Sequence, residues 1–160
     1  MQPLKGLTVV TLEHAIAAPF ATRQLADLGA RVIKIERPGT GNFARGYNQR
    51  VRGLASHFVW TNRSKESQKL DVKHPRTVAL LKQLIVSKAD CVVQNLAPGA
   101  AARLGVGWEA LKTKRPDLIV CDISGYGDYP QHPGPFRDKK AYDLLIQSES
   151  GFVSITAGPG

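Results

Sequence analysis

The sequence predicts an α/β fold in which a parallel sheet carries helices on both of its faces. Two observations support this fold class. Short runs rich in β-branched and apolar residues alternate along the chain with longer segments of helical periodicity. The first strand, the helix after it and the second strand also follow one another so closely that a right-handed crossover is expected to join two parallel strands.

The opening strand–loop–helix–strand unit, residues 7–37, has the clearest pattern. Residues 7–12 form a β-branched apolar run typical of a buried strand, and residues 31–36 form a second one. Between these strands, Pro19 suits the first turn of a helix and Gly29 suits its end. We therefore predict a helix whose apolar face carries Ala21, Leu25 and Leu28.

The later elements continue this alternation after an irregular, glycine-punctuated stretch from residue 37 to residue 67. Within that stretch, residues 57–60 could form a strand or a short helix, and the helix is favoured. Further helices are predicted at residues 75–88, 98–104, 108–114 and 140–150. Strands are predicted at residues 69–72, 90–95 and 118–124, with a strand-like segment at residues 152–156.

Length and composition are those of one soluble domain that can bury a sizeable core. The chain has 160 residues, of which 42% are hydrophobic and 22% are charged. No apolar run approaches the ~20 residues of a membrane-spanning helix, and the N-terminus lacks the pattern of a signal peptide. We therefore expect a cytoplasmic protein.

The charge balance favours an anionic partner. The sequence has 22 Lys and Arg against 13 Asp and Glu, a formal net charge of +9. That excess could serve nucleic acid, anionic lipid or a phosphorylated small molecule. The basic residues are scattered and no nucleic-acid recognition motif accompanies them. We therefore expect neither nucleic acid nor a membrane as a partner.

The two cysteines, Cys91 and Cys121, each lie within an apolar run. We expect them to be small buried side chains on strands, not a disulfide, because the expected compartment is reducing. No His and Cys residues have the spacing of metal ligands, so no metal is expected.

Candidate ligand-binding residues lie in the loops after the strands, because open α/β sheets bind ligands at the carboxyl ends of their strands. These loops carry arginine, lysine, asparagine and backbone N–H groups near helix starts, which suit phosphates and a nucleobase. The first loop lacks the G-x-G-x-x-G pattern of dinucleotide sites, and the chain has no G-x-x-x-x-G-K-[ST] phosphate loop. The pattern predicts a nucleotide-bearing ligand and disfavours ordinary NAD.

Single residues near these loops leave alternatives open. His14 could act as an acid or base, but a loop histidine that bonds to backbone is favoured. Asp143 could serve the site or only complement a helix dipole. Tyr142 could belong to the core, and Arg103 could bind phosphate or lie over the surface.

Several segments in order resemble the class III CoA-transferases, the CaiB/BaiF family. The resemblance begins with PLKGLTVVTLEHAIAAPFATRQLADLGARVIKIERPGTGN and continues through NRSKESQKLDVKHP, VVQNLAPGAAARLGVGWEAL, RPDLIVCDISGYG and DKKAYDLLIQSESG. It implies a Rossmann-like large domain that binds coenzyme A. It also implies an enzyme that moves CoA between an acyl-CoA and a carboxylic acid through an aspartyl covalent intermediate.

The resemblance to formyl-CoA transferases, which belong to that family, also implies which residues contact CoA. They fall on the loop after the first strand and on the I-E-R, L-D-x-K, N-x-x-P-G and K-x-Y-[DE] motifs. The implied contacts are Ile16, Ala17, Arg37, Leu70, Asp71, Val72, Lys73, Asn95, Leu96, Ala97, Arg103, Lys140, Ala141, Tyr142 and Asp143.

Two departures from the family's patterns bear on the substrate. Formyl-CoA transferases have glutamine at the position of Ile16, which argues against formyl-CoA and oxalate as the substrate pair. The related 2-methylacyl-CoA racemases have a basic histidine at the position of Tyr142, so tyrosine there favours a transferase. A racemase-like enzyme and a CoA-binding module without catalysis are the alternatives.

The resemblance implies a catalytic aspartate in a motif beyond Gly160, and no aspartate of this chain matches it. Family members are longer, add a small second domain and form interlocked homodimers. We therefore interpret residues 1–160 as an N-terminal CoA-binding domain that is truncated, lacks the second domain and is inactive alone.

Overall fold

The computed structural model describes residues 1–129, 131–156 and 158, which form two compact units, Met1–Ile123 and Ser124–Gly160. The elements of the first unit are β1 (Thr8–Leu12), α1 (Ala17–Asp27), β2 (Arg31–Glu36), a 3₁₀ turn (Phe43–Gly46), α2 (Ser56–Asn62), β3 (Glu66–Lys69), α3 (Pro75–Lys88), β4 (Cys91–Gln94), α4 (Ala100–Leu104), α5 (Trp108–Lys112) and β5 (Ile119–Asp122). Those of the second unit are α6 (Asp143–Glu149) and α7 (Phe152–Thr156).

The five strands form one fully parallel sheet in the order β3-β2-β1-β4-β5. β1 lies at its centre, where Val10 pairs with Ile33 of β2 on one side and with Val92 of β4 on the other. The chain builds outward from β1 to β3 and then crosses back to start the other half at β4. The loops after β1 and β4 therefore flank the switch point of the sheet, where open α/β sheets bind ligands.

Helices cover both faces of this sheet, which confirms the predicted α/β class. On one face, Val10 packs with Leu81 and Ile85 of α3, and both of these leucine and isoleucine side chains are fully buried. On the other face, Val9 packs with Ala26 of α1. Successive strand residues point to opposite faces, so a strand buried on both sides is apolar throughout instead of alternating.

The strand expected at residues 69–72 lies earlier in the chain, as β3. Its register pairs Glu66 with Ile33 and Lys69 with Glu36, and its side chains are exposed because it is an edge strand. Leu70 still donates its backbone N–H to the carbonyl of Glu36 (3.0 Å), and its side chain then packs against the core. The apolar residues that suggested a strand therefore lie just after β3, where they pack against the core.

The strand-like segment expected at residues 152–156 is the helix α7. Its β-branched residues favour a strand, but that preference depends on pairing and packing against neighbouring strands. In this segment the polar groups are satisfied locally: Thr156 Oγ1 donates to the carbonyl of Phe152 (2.9 Å).

The cysteines lie on strands as predicted, but the prediction of burial is wrong for Cys121. It is exposed on the edge strand β5, whereas Cys91 on β4 is half-buried. Burial raises the pKa of the Cys91 thiol to about 11, with smaller contributions from Cys121 and Asp90.

The second unit is held by contacts between its loop and α6. Tyr126 donates its hydroxyl to Glu149 (2.5 Å), and its ring meets that of Phe136 edge-on at 5.9 Å. Across the described part of the chain, no helix has the length and apolar character needed to cross a membrane.

Candidate functional site

Three loops meet at the carboxyl edge of the sheet. They are residues 13–16 after β1 (the β1 loop), residues 37–42 after β2 (the β2 loop) and residues 95–99 after β4 (the β4 loop). Parallel strands bring the loops that follow them to one edge, and β1 lies between β2 and β4. The β1 loop consequently contacts both of the others.

The β4 loop holds the β1 loop through the side chain of Asn95. Its Oδ1 accepts a hydrogen bond from the backbone N–H of His14 (2.7 Å), and its Nδ2 donates to the His14 carbonyl oxygen (3.0 Å). From the β2 loop, Asn42 Nδ2 donates to the carbonyl oxygen of Glu13 (3.3 Å). Because the β1 loop is irregular, these backbone polar groups have no strand or helix partners, and the two asparagine side chains bond to them instead.

The ring of His14 lies on the β2 side of the β1 loop. It stacks on Phe43 with 5.5 Å between ring centroids, and its buried Nδ1 has no hydrogen-bond partner among the residues that the structure describes. Burial, with the positive charges of Lys34 and Arg37, lowers the pKa of His14. The imidazole is therefore neutral at neutral pH. The hydrogen bonds of this residue to the β4 loop come from its backbone.

A buried ionic cluster of Glu13, Lys34 and Lys65 lies beneath the β1 loop. Lys65 Nζ is 2.7 Å from Glu13 Oε1, Lys34 Nζ is 3.5 Å from the same oxygen, and all three side chains are at most 2% exposed. Lys65 Nζ also donates to Thr22 Oγ1 (2.7 Å) and to the carbonyl of Pro19 (2.8 Å) in α1. The cluster therefore ties the β1 loop to α1, to β2 and to the segment before β3.

The sequence analysis did not predict this cluster, although charged residues within a strand predicted to be buried pointed to one. Burial lowers the pKa of Lys34 to about 8; the charge of Glu13 acts to raise this pKa and the charge of Lys65 to lower it further. Burial also lowers the pKa of Lys65. A charged residue in a strand predicted to be buried needs a partner, because an unpaired buried charge is strongly destabilising. Lys34 and Glu36 in β2 met that criterion, but their partners come from distant parts of the chain.

The carboxylate of β2, Glu36, fixes the β2 loop. Its two oxygens accept hydrogen bonds from the Arg45 guanidinium (3.2 and 2.6 Å), from Ser67 Oγ (2.6 Å) and from the Asn42 backbone N–H (3.1 Å). Burial by itself would raise the pKa of Glu36, but the hydrogen bonds from Arg45 and Ser67 and the charge of Lys34 outweigh it. The pKa falls to about 2, so this carboxylate is ionised at neutral pH.

Most residues that the family resemblance implies as CoA contacts lie at this carboxyl edge of the first unit. They follow β1, β2, β3 and β4 in turn: Ile16 and Ala17; Arg37; Leu70, Asp71, Val72 and Lys73; Asn95, Leu96 and Ala97, with Arg103 in α4. The other four, Lys140, Ala141, Tyr142 and Asp143, lie in the second unit at the start of α6.

Three of the implied cations have no acidic partner in the part of the chain that the structure describes. Arg37, Lys73 and Arg103 are exposed, and within the described residues none of them forms an ion pair. At the opposite end of β2, by contrast, Arg31 pairs with Glu66 at 2.8 Å. Unpaired guanidinium and ammonium groups beside backbone N–H groups are suited to phosphate oxygens. The described residues contain no group of three or more side chains that could hold a metal ion.

Two of the implied contacts in the first unit use their side-chain polar groups to shape a loop. The carboxylate of Asp71 accepts the backbone N–H of Lys73 (3.0 Å) and so closes the turn after β3. The amide of Asn95 is engaged with His14. The backbone N–H of Leu96 is engaged as well, with Gln94 Oε1 (2.6 Å). The cations are therefore the groups in these loops that are most open to a ligand.

Known proteins resemble this chain in sequence and in fold. A succinyl-CoA:glutarate CoA-transferase from Mus musculus is 38% identical over 160 residues, which cover 99% of this chain and 35% of the relative. A formyl-CoA:oxalate CoA-transferase from Afipia carboxidovorans is 41% identical over 154 residues, covering 96% of this chain and 35% of the relative. The crystal structure of a CAIB/BAIF family protein from Brucella suis has a TM-score of 0.89 at 36% identity, covering 99% of this chain and 42% of that one.

The chain thus spans 35 to 42% of the length of these relatives. The profile of CoA-transferase family III matches residues 4–160, which include all of the segments in which the resemblance was seen except their first residue, Pro3. Because this match extends over nearly the whole sequence, the chain belongs to CoA-transferase family III.

Proposed function

We propose that this chain is the CoA-binding N-terminal part of an enzyme that transfers CoA between an acyl-CoA and a carboxylic acid. Family membership supports the activity, and the relatives are named for such transfers. The observation that carries the proposal is a set of exposed cations in or shortly after the carboxyl-edge loops, which form no ion pair with the described residues: Arg37, Lys73 and Arg103.

The chemistry of CoA fits these groups. CoA carries a 3′-phosphate and a pyrophosphate, and arginine binds phosphate oxygens through two parallel N–H bonds. Among the described residues no side chain caps the start of α1 at Ile16, and Ala17, the first residue of the helix, is exposed, so its backbone N–H can face a ligand. The net charge of +9 favours approach of such an anion. We propose that the other implied residues, among them Lys140 and Tyr142 in the second unit, also contact CoA, as the resemblance implies.

The substrate pair that we propose is succinyl-CoA with a small dicarboxylic or hydroxy acid. Relatives named for succinyl-CoA and glutarate and for formyl-CoA and oxalate are similarly close, so overall identity does not choose between them. The residue at position 16 favours the succinyl-CoA pair over the formyl-CoA pair, because the apolar side chain of Ile16 replaces the glutamine of formyl-CoA transferases. Tyr142, which replaces the histidine of the racemases, supports transfer over racemisation.

In this proposal, chemistry requires an aspartate from a segment after Gly160. Its carboxylate attacks the thioester carbonyl to give a mixed anhydride and free CoA, and the CoA thiolate then attacks the aspartyl carbonyl, which expels the donor carboxylate and leaves an aspartyl-CoA thioester. The acceptor carboxylate attacks this thioester to give a second mixed anhydride, and the released CoA attacks the acceptor's carbonyl, which yields the new acyl-CoA and frees the aspartate. Residues 1–160 would bind and orient CoA and would be inactive alone. A cytoplasmic location and an interlocked homodimer of the longer protein also belong to the proposal.

Thermal unfolding in the presence of CoA tests the proposal. We expect the melting temperature to rise with CoA concentration, because a ligand that binds only the folded state stabilises it by mass action. Dephospho-CoA, which lacks the 3′-phosphate, should stabilise less, and NAD should not stabilise at all. No stabilisation at millimolar CoA, or equal stabilisation by NAD, would contradict it.

A further inference from the structure

We infer that Asn95 is a positioning residue, which holds the β1 loop in the conformation that receives CoA and does not itself bind CoA through its side chain. This inference rests on the proposed function. The family resemblance implies that Asn95 contacts CoA, but both kinds of polar group on its amide are engaged with His14, at 2.7 and 3.0 Å. The two bonds fix the plane of the amide, so the side chain is committed to the loop.

The β1 loop needs such support because its backbone is in an unfavourable conformation. Ala15 has a φ of +56°, in the left-handed region that residues with a Cβ atom rarely adopt. A strained residue of this kind persists only where the surrounding structure determines its conformation. On the preceding side of Ala15, Asn95 holds both backbone polar groups of His14, and Asn42 holds the carbonyl of Glu13.

The start of the loop and the helix turn after it are held by the buried ionic cluster. The carboxylate of Glu13 is buried in its cluster with Lys34 and Lys65, and Lys65 also bonds to the first turn of α1. The segment between these anchors is the turn at Ala15, which sets the direction of the N–H groups that begin α1. Loss of the two hydrogen bonds between Asn95 and His14, the Asn95 clamp, would release this turn and leave the ionic cluster intact.

Release of the loop should weaken CoA binding without removing any group that contacts CoA. When only a fraction of molecules has the binding conformation, the apparent affinity falls by that fraction. A direct contact of the Asn95 side chain with CoA would instead lower affinity without changing the loop. The two possibilities therefore differ in what the free protein does.

The variant Asn95→Asp separates them. It keeps the size of the side chain and an oxygen that accepts the His14 N–H, but its second oxygen faces the His14 carbonyl and cannot donate while ionised. Protonation of the introduced carboxyl restores a donor. We expect CoA affinity at neutral pH to fall by about tenfold relative to the unsubstituted chain. The deficit should shrink as the pH falls toward about 4.5, since the His14 carbonyl and partial burial disfavour the ionised form of the introduced carboxyl. The His14 imidazole also titrates as the pH falls, in the variant and in the unsubstituted chain alike.

Each affinity is compared with that of the unsubstituted chain at the same pH, because the phosphates of CoA also titrate. Hydrogen exchange of the amides of residues 14–18 is measured on the same samples without CoA. It should be faster in Asn95→Asp at neutral pH and return toward the reference on acidification. Asn95→Ala should show the same faster exchange and weaker binding at every pH, with no recovery, and it serves if the aspartate variant does not fold.

Asn48→Asp is the matched control, because the amide of Asn48 bonds to Ser56 and to the backbone of Arg50 in a different loop. It should change neither CoA affinity nor exchange in the β1 loop. Unchanged exchange of residues 14–18 in both Asn95 variants would overturn the inference, as would a loss of affinity in Asn95→Asp that is constant with pH. Absence of CoA binding by the unsubstituted chain would instead overturn the proposed function, and loop exchange would still test the clamp.

Discussion

Replacement of Glu36 by glutamine removes a buried charge that hydrogen bonds from Arg45, Ser67 and the Asn42 backbone stabilise. The pKa of Glu36 falls from 4.5 to about 2 in the folded chain. At about 1.4 kcal/mol per pH unit, this corresponds to about 3 kcal/mol of folding stability at neutral pH. Because the folded pKa lies below the unfolded one, the contribution is complete above pH ~4.5 and is lost as the pH falls toward ~2.

Urea denaturation of the unsubstituted chain and of Glu36→Gln, at a series of pH values, measures this contribution. We expect the free energies of unfolding to differ by about 3 kcal/mol at pH ~7 and the difference to narrow below pH ~4.5. Glu66→Gln is the control, because the Glu66–Arg31 pair is more than half exposed and such pairs contribute about 0–1 kcal/mol. A Glu36→Gln effect no larger than that of Glu66→Gln, or a difference that stays constant on acidification, would refute the reasoning.

Two further predictions concern the core and the thiols. Leu81→Ala should lower the free energy of unfolding by about 2–5 kcal/mol in urea denaturation, because it opens a cavity at a fully buried position, whereas Leu80→Ala, at 58% exposed, should have little effect. Equal effects of the two substitutions would mean that α3 does not pack as described. A thiol reagent at pH ~8 should modify exposed Cys121 in the folded chain well before Cys91, whose pKa is about 11. Faster modification of Cys91, identified by peptide mapping, would contradict the placement of β4 inside the sheet.

Much of the fold could be predicted because the central strands are buried on both faces and are therefore apolar throughout. The helix at residues 75–88 was predicted with the bounds of α3, and the strand at residues 31–36 with those of β2. The edge was harder, since β3 consists of exposed polar residues that carry no strand pattern. The apolar residues just after it, Leu70 and Val72, drew the prediction away from the strand.

The location of the candidate site could also be anticipated, because parallel strands bring their carboxyl ends to one edge whatever the loop sequences. The ion pairs and hydrogen bonds that hold these loops in place could not be anticipated. Glu13 meets Lys65 across 52 positions of sequence, and His14 meets Asn95 across 81. No periodicity or motif records such pairings, because they depend on the order of strands in the sheet and on the path of each loop.

Calorimetric titration of CoA into arginine variants tests the central claim most directly, namely that the carboxyl edge of the sheet binds CoA. Arg37→Ala and Arg103→Ala should each weaken binding by roughly 1.5–3 kcal/mol through loss of charge-assisted hydrogen bonds to phosphate. Arg31→Ala, at the opposite end of β2 from Arg37, removes an equal charge and should leave the affinity unchanged. Unchanged affinity in Arg37→Ala and Arg103→Ala, or an equal loss in Arg31→Ala, would contradict the claim.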